Sequence, residues 1–441
     1  MAQVIPFKGL RYNTSKISDL SKVMTPPYDV ISPAEQDRFY QMSEYNIIRL
    51  ELGKEEPGDD EYNNKYTRAA RYLKEWLENQ ILVQEKQPSF YIYQQQFSLP
   101  NGNTYTRTGF VGLVRLEEFS RGVILPHENT LSKPKADRLQ LMRACEANFS
   151  QIFALYDDPE KTIPMLLKQY TDANSPDIEV EAIQGIIERL WVVSDASIIA
   201  QIQESMADKK LYIADGHHRY ETALTYRNER MKQNPHHTGD ELYNFVMMMM
   251  VEMEDPGLII LPTHRVINGI KNFSKEEFLQ NASRDFVIEE HLFSGRTLKQ
   301  RAEEMDSLLT KKGSHTFVFY DGNLKSCHVL ALKDIEIISE RLPEHDMSYR
   351  SLDVTILHTL LLEPLLGIGK EQIANQEFIT YTHDLTEGVT WVEEGNCQMA
   401  FFVNPTSVKQ VKEVSLAGEK MPQKSTYFYP KLLTGLVINK F

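Results

Sequence analysis

Leu211-Tyr-Ile-Ala-Asp-Gly-His-His-Arg-Tyr-Glu-Thr-Ala223 is the stretch on which the reading of this chain turns. The apolar run Leu211 to Ala214 predicts a buried strand that stops at Asp215-Gly216, and a helical pattern opens near His217. A strand that turns through a glycine into a helix leaves backbone N–H groups at the helix start, where the helix dipole is positive. Such a corner suits an anion, and a phosphate above all. His217, His218 and Arg219 add to it, because a guanidinium fork matches phosphate or carboxylate oxygens. Asp215 at the lip of the turn is expected to hold a metal ion or accept a proton. The bland alternative is that Asp215 and Arg219 pair and cap the helix.

Working outward, 441 residues with 41% apolar and 25% charged residues predict a soluble globular protein of two or three domains. A formal charge of −14 argues against a general binder of nucleic acid or anionic membrane, since a polyanion is repelled on average. A local basic pocket inside an acidic protein is compatible with that balance. Cys145, Cys327 and Cys397 form neither a CxxC pair nor a disulfide framework, which points to a reducing cytoplasm. The first ten residues lack an apolar core of signal-peptide length, and the apolar run Phe245 to Val251 is too short to span a bilayer.

Along the chain, Pro26-Pro27-Tyr28-Asp29-Val30-Ile31 reads as extended, and Ser32-Pro33-Ala34-Glu35 as a capping box opening a helix. An amphipathic helix is expected over 59–79, and a hairpin from Phe90 to Leu99 and Tyr105 to Leu116 around Asn101-Gly102-Asn103. Strands follow at Ile152 to Tyr156, Phe245 to Met253 and Leu258 to Val266, with helices at 198–209, 297–311 and 349–366 and a hairpin from Thr316 to Lys333. The methionines at 247–250 read as core packing. Hairpins mixed with alternating elements predict an α+β protein with mixed sheets.

Two further clusters carry chemistry. In Leu125 to Arg138, His127 and Glu128 would suit acid–base work beside the cations Lys133, Lys135 and Arg138. The competing reading there is a solvated loop entering a helix, with Asp137 and Arg138 as surface charges. In Gly418 to Gly435, Lys424, Ser425 and Thr426 resemble a small anion-binding loop, with Tyr427, Phe428 and Tyr429 as possible walls or simply packed aromatics. Thr263-His264-Arg265 reads as a strand with a core histidine. No P-loop, GxGxxG, HExxH, GxSxG or kinase signature is present.

The motifs PPYDVIS (26–32), PHENTLSKPKADRL (126–139), ADGHHRYETA (214–223) and MPQKSTYFYPKLLTGL (421–436) together resemble a bacterial family, domain-of-unknown-function family 1015. Within the wider group the DGHHR turn looks like the phosphate-binding turn of the ParB/sulfiredoxin-like fold. The resemblance implies a ParB/sulfiredoxin-like core at 120–270, an N-terminal α+β segment at 1–119 and a C-terminal α+β domain at 271–441. Free serine kinases of that fold join such a turn to an upstream glutamate. Carried over by motif, Glu128 would activate the hydroxyl of free L-serine and Asp215 would position substrate or Mg²⁺. Gly216, His217, His218 and Arg219 would hold phosphates, with Lys424, Ser425, Thr426 and Lys133 assisting. The donor is left among ATP, ADP and pyrophosphate, because nothing marks an adenine pocket. A ParB-like nucleotide-binding regulator and a phosphohydrolase using His217 or His218 are the alternatives.

Overall fold

Long alternating strands pair first with their neighbours in sequence. In a computed structural model that describes residues 1–100, 102–130, 132–295 and 297–441, with the side chain of Ser132 left aside, Phe90–Ser98 (β2) and Thr104–Arg115 (β3) form the expected hairpin. Asn101 of the expected turn and Leu131 of the 126–139 motif lie outside the described residues. The hairpin is the middle of a sheet of nine described strands that also contains Val4–Ile5 (β1), Ile124–Leu125 (β4), Ile152–Tyr156 (β5), Ile178–Ile183 (β6), Ile186–Val193 (β7), Leu211–Asp215 (β8) and Phe245–Glu252 (β9). Their order is β4-β8-β5-β9-β3-β2-β7-β6, with β1 added to β3. Pairing is mixed: β9 runs antiparallel to β3 and parallel to β5. All eight residues of β9 are buried, Met247 to Met250 completely, as a strand covered on both faces requires.

The chain divides into two compact units, one made of Met1–Pro126, Thr130–Ile259 and Pro430–Phe441, the other of His127–Asn129 and Ile260–Tyr429. The stretches expected as separate segments at 1–119 and 120–270 share the nine-stranded sheet of the first unit. The last twelve residues also belong there: Thr434 bridges Thr25, Ile438 bridges Leu10, and Asn439–Lys440 pairs with Ala147–Asn148. The second unit holds a sheet of six described strands in the order Phe286–Leu292, Ser326–Leu332, Thr316–Tyr320, Met399–Val403, His264–Ile267, Ile379–Thr382, each pair antiparallel. The fold is α+β with mixed sheets.

Local chemistry explains where elements depart from the expected bounds. Tyr28–Val30 is a short 3-10 turn, not an extended segment, while Ser32 and Glu35 form the capping box that opens Pro33–Met42 (α1). The helix expected from residue 59 starts at Lys65 (α2, Lys65–Glu78), because Asn64 accepts from the N–H groups of Tyr66 and Thr67. The strand expected over 258–266 is interrupted at Pro262 and Thr263, between Ile259–Leu261 and His264–Ile267; proline has no N–H for a ladder. The apolar helix at 349–366 is broken at Ser351 and Leu352, then carries a π-turn at 358–362 directly before Pro364, which removes a helical donor.

Candidate functional site

The strand-to-helix corner is built as the sequence implies, with one addition. The register of β8 against β5 shifts between Ile213 and Asp215, a bulge that re-aims the end of the strand. Gly216 follows at φ 94°, a left-handed conformation that favours glycine, and opens the helix His217–Gln233 (α4) with no side-chain cap. Asp215 Oδ2 accepts from Arg219 Nη2 at 2.7 Å, and Asp215 Oδ1 accepts from Lys431 Nζ. Arg219 Nη1 also donates to Gln151 O at 2.6 Å and to Ser150 Oγ at 3.1 Å. Burial pushes the Asp215 carboxyl up, but Lys431 and then Arg219 outweigh it and hold the group well below the usual carboxylate range. The pairing of Asp215 with Arg219 is therefore present. Lys431, which sequence reading passed over in favour of Lys424, stands with them.

Around this corner three of the quoted motifs converge within the first unit. Ser150 Oγ donates to Glu51 Oε1 at 2.8 Å, and Arg138 Nη1 donates to Glu51 O at 2.7 Å. Arg138 is buried, paired with Asp137, and its Cζ lies 4.1 Å from the centroid of the Tyr28 ring, so it is not a surface charge. Thr130 and Lys135 both donate to Glu221 Oε2 at 2.7 Å. A cavity of about 40 Å³ is lined by Glu51, Arg138, Asn148, Ser150, Arg219 and Thr222, among others. Burial pushes the Glu51 carboxyl up against the pull of Arg138 and Arg219, and pushes the half-buried His218 down. His217 is buried and Lys133 is exposed on Ser132–Cys145 (α3). Tyr28, Glu51, Ser150 and Lys431 were missed. PPYDVIS and the Pro-Lys of YFYPK carried the only signal for two of them.

The second unit joins the other expected residues. Glu128 forms a parallel bridge with Met421, whose N–H donates to His127 O at 2.8 Å. His127 Nε2 lies 3.1 Å from Thr426 Oγ1. Ser425 Oγ donates to Pro422 O at 2.6 Å, and Arg265 Nη2 donates to Lys424 O at 3.0 Å, leaving the Lys424 side chain exposed at φ 60°. His264 is the core histidine expected: burial pushes it down to about 3, and its Nδ1 accepts from Val403 N–H at 3.2 Å. The expected site residues thus fall into two groups. Asp215 to Arg219 and Lys133 belong to the first unit, His127, Glu128 and Lys424 to Thr426 to the second.

This geometry bears on two of the expected roles. Arg219 directs its fork at three protein oxygens, so it clamps Asp215 and the Ser150–Gln151 segment. Asp215 does not suit a Mg²⁺ ligand, since each carboxylate oxygen already meets a cation that would repel the metal. Among the described residues no three His, Cys, Asp or Glu side chains gather as a metal set. No described helix is long and apolar enough to cross a membrane.

No curated protein matches the chain. Among solved structures, a conserved hypothetical protein from Pyrococcus furiosus is 14% identical with a TM-score of 0.32, covering 70% of this chain and 90% of its own. A mutant free serine kinase in complex with AMP is 12% identical with a TM-score of 0.34, covering 69% and 84%. SbnI with a C-terminal truncation, from Staphylococcus aureus, is 12% identical with a TM-score of 0.30, covering 74% and 85%. The model of the family described as "Protein of unknown function (DUF1015)" matches residues 4–355, and the chain belongs to that family.

Proposed function

We propose that this protein is a small-molecule kinase that transfers a phosphoryl group to the hydroxyl of free L-serine, from ATP, ADP or pyrophosphate. The observation that carries the reading is the corner at Asp215. Two cations, Arg219 and Lys431, meet the Asp215 carboxylate where a helix begins at a left-handed glycine. Cations gathered at the positive end of a helix suit an anion. Phosphoryl transfer asks the protein chiefly for positive groups around the moving phosphoryl and a base near the acceptor hydroxyl. Lys431 and the start of α4, with His217 and His218, are assigned the first role. The second role falls to Glu128 through the family resemblance alone, which also gives His127 a catalytic role and makes Lys133, Lys424, Ser425 and Thr426 further phosphate contacts. In the step, a bond forms between the serine oxygen and phosphorus, the bridging P–O bond of the donor breaks, and the hydroxyl proton passes to Glu128.

The test incubates the purified protein with L-serine, Mg²⁺ and each donor in turn. Phosphoserine with at least one donor is expected, and Glu128→Gln should lower turnover by about 100-fold or more while leaving donor affinity nearly unchanged. No product with any donor, while pyrophosphate still binds, would reject the kinase. Phosphate release without an acceptor would point to a hydrolase instead.

A further inference from the structure

The backbone around Lys431, whose ammonium meets Asp215, is hydrogen-bonded to a row of polar side chains buried inside the large sheet. Glu188 on β7 lies opposite Gln95 on β2, and Gln95 lies opposite Arg107 on β3. Side chains at directly paired positions share a face, and Tyr93, two residues before Gln95, lies on that face as well. All four side chains are fully buried. Gln95 Nε2 donates to Glu188 Oε1 at 3.1 Å, and Arg107 Nη2 donates to Gln95 Oε1.

The row then grips one segment of backbone. Arg107 Nη2 donates to Pro430 O at 2.6 Å, Gln95 Nε2 to Lys431 O at 3.0 Å, and Leu433 N–H to Tyr93 Oη at 3.0 Å. Gln151, whose own carbonyl accepts from Arg219, donates Nε2 to Leu433 O at 3.2 Å. A buried charged row in the middle of a sheet carries a desolvation penalty that apolar side chains would avoid. Its hydrogen bonds instead specify the path of residues 430–433 from both sides of the Lys431 Cα.

We propose that the Tyr93–Gln95–Arg107–Glu188 row is a positioning device for Lys431, fixing the segment so that the ammonium stands on Asp215 at the anion corner. These are positioning residues; none of them is assigned contact with the ligand. The inference deepens the phosphate-binding reading and rests on it for the identity of the ligand.

The experiment uses the full chain and pyrophosphate as the probe, with affinity measured by titration calorimetry and amide exchange followed at residues 430–436. Lys431→Met should weaken pyrophosphate binding by about tenfold or more, as loss of one charge-assisted contact implies, with exchange at 431–433 unchanged. Tyr93→Phe, which removes a single oxygen, should weaken binding several-fold and speed exchange of the Leu433 amide. Arg107→Gln should act in the same direction, and Tyr93→Phe keeps the test open if that variant does not fold. The decisive arm is the double variant. If the row acts through Lys431, Tyr93→Phe should cost no further affinity in the Lys431→Met background, whereas a general structural role gives additive losses. Additive losses, or faster exchange with unchanged affinity, overturn the proposal. If the wild-type chain binds neither pyrophosphate nor ADP, the phosphate reading fails. The exchange arm then decides separately, and unchanged protection at 431–433 in Tyr93→Phe ends the positioning claim.

Discussion

Replacing Glu188 with glutamine should change how the stability of the large sheet depends on pH. Burial pushes the Glu188 carboxyl from an ordinary 4.5 up to about 7, against the hydrogen bonds of Tyr93 and Gln95 and the charge of Arg107. The folded chain therefore keeps a proton on Glu188 across a range in which the unfolded chain has released it. More protons bound to the folded state means that stability falls as pH rises, from the unfolded value near 4.5 to the folded value near 7. At ~1.36 kcal/mol per pH unit, this gap amounts to roughly 3 kcal/mol at full ionisation. The amide introduced by Glu188→Gln cannot ionise, so the stability of wild type relative to this variant should drop by that order between about pH 5 and about pH 8. Exchange of the β7 amides, corrected for its intrinsic pH dependence, reads the opening free energy of the strand itself. Hydrogen bonds that the amide makes or loses shift the whole difference without tilting it. A difference that is flat with pH, or that rises with pH, would refute the account of Glu188 as a carboxyl kept protonated by burial.

Three further outcomes follow from the same geometry. Gly216→Ala sits at a left-handed φ of 94° with its new Cβ 3.0 Å from Arg219 Nη2, so about 1–3 kcal/mol of stability should be lost and pyrophosphate binding weakened; an unchanged unfolding midpoint would contradict it. Arg219→Met leaves Ser150 and the Gln151 carbonyl without that donor and Asp215 with one cation fewer; denaturant unfolding should register a loss of about 3 kcal/mol or more, and a loss under about 1 would show the clamp to be unimportant. His264 is pushed by burial from 6.5 to about 3, so the folded state resists a proton that the unfolded state accepts, and its contribution to stability is lost as pH falls below 6.5. His264→Gln should flatten that acid limb in exchange measurements on the second unit, and an identical limb would falsify the assignment.

How far the sequence alone reached depends on the range of the interactions involved. The Ser32 capping box, the hairpin of β2 and β3, the buried methionine strand and the strand–Gly216–helix corner are all set by neighbours a few residues apart, through side-chain period, glycine conformation and cap chemistry. Those features were legible, as was the pairing of Asp215 with Arg219 one helical turn on. Lys431 was not, because it meets Asp215 across 216 residues and no local pattern encodes which lysine arrives. Arg138 looks like any charge on an amphipathic helix until Tyr28 and Glu51 cover it. Glu188, Gln95 and Arg107 read as ordinary polar positions of strands, and only the register that aligns three strands makes them one buried row. Register and burial are collective properties of the packed chain. They decide whether a charge faces water or protein, and with it whether a residue is surface, clamp or site.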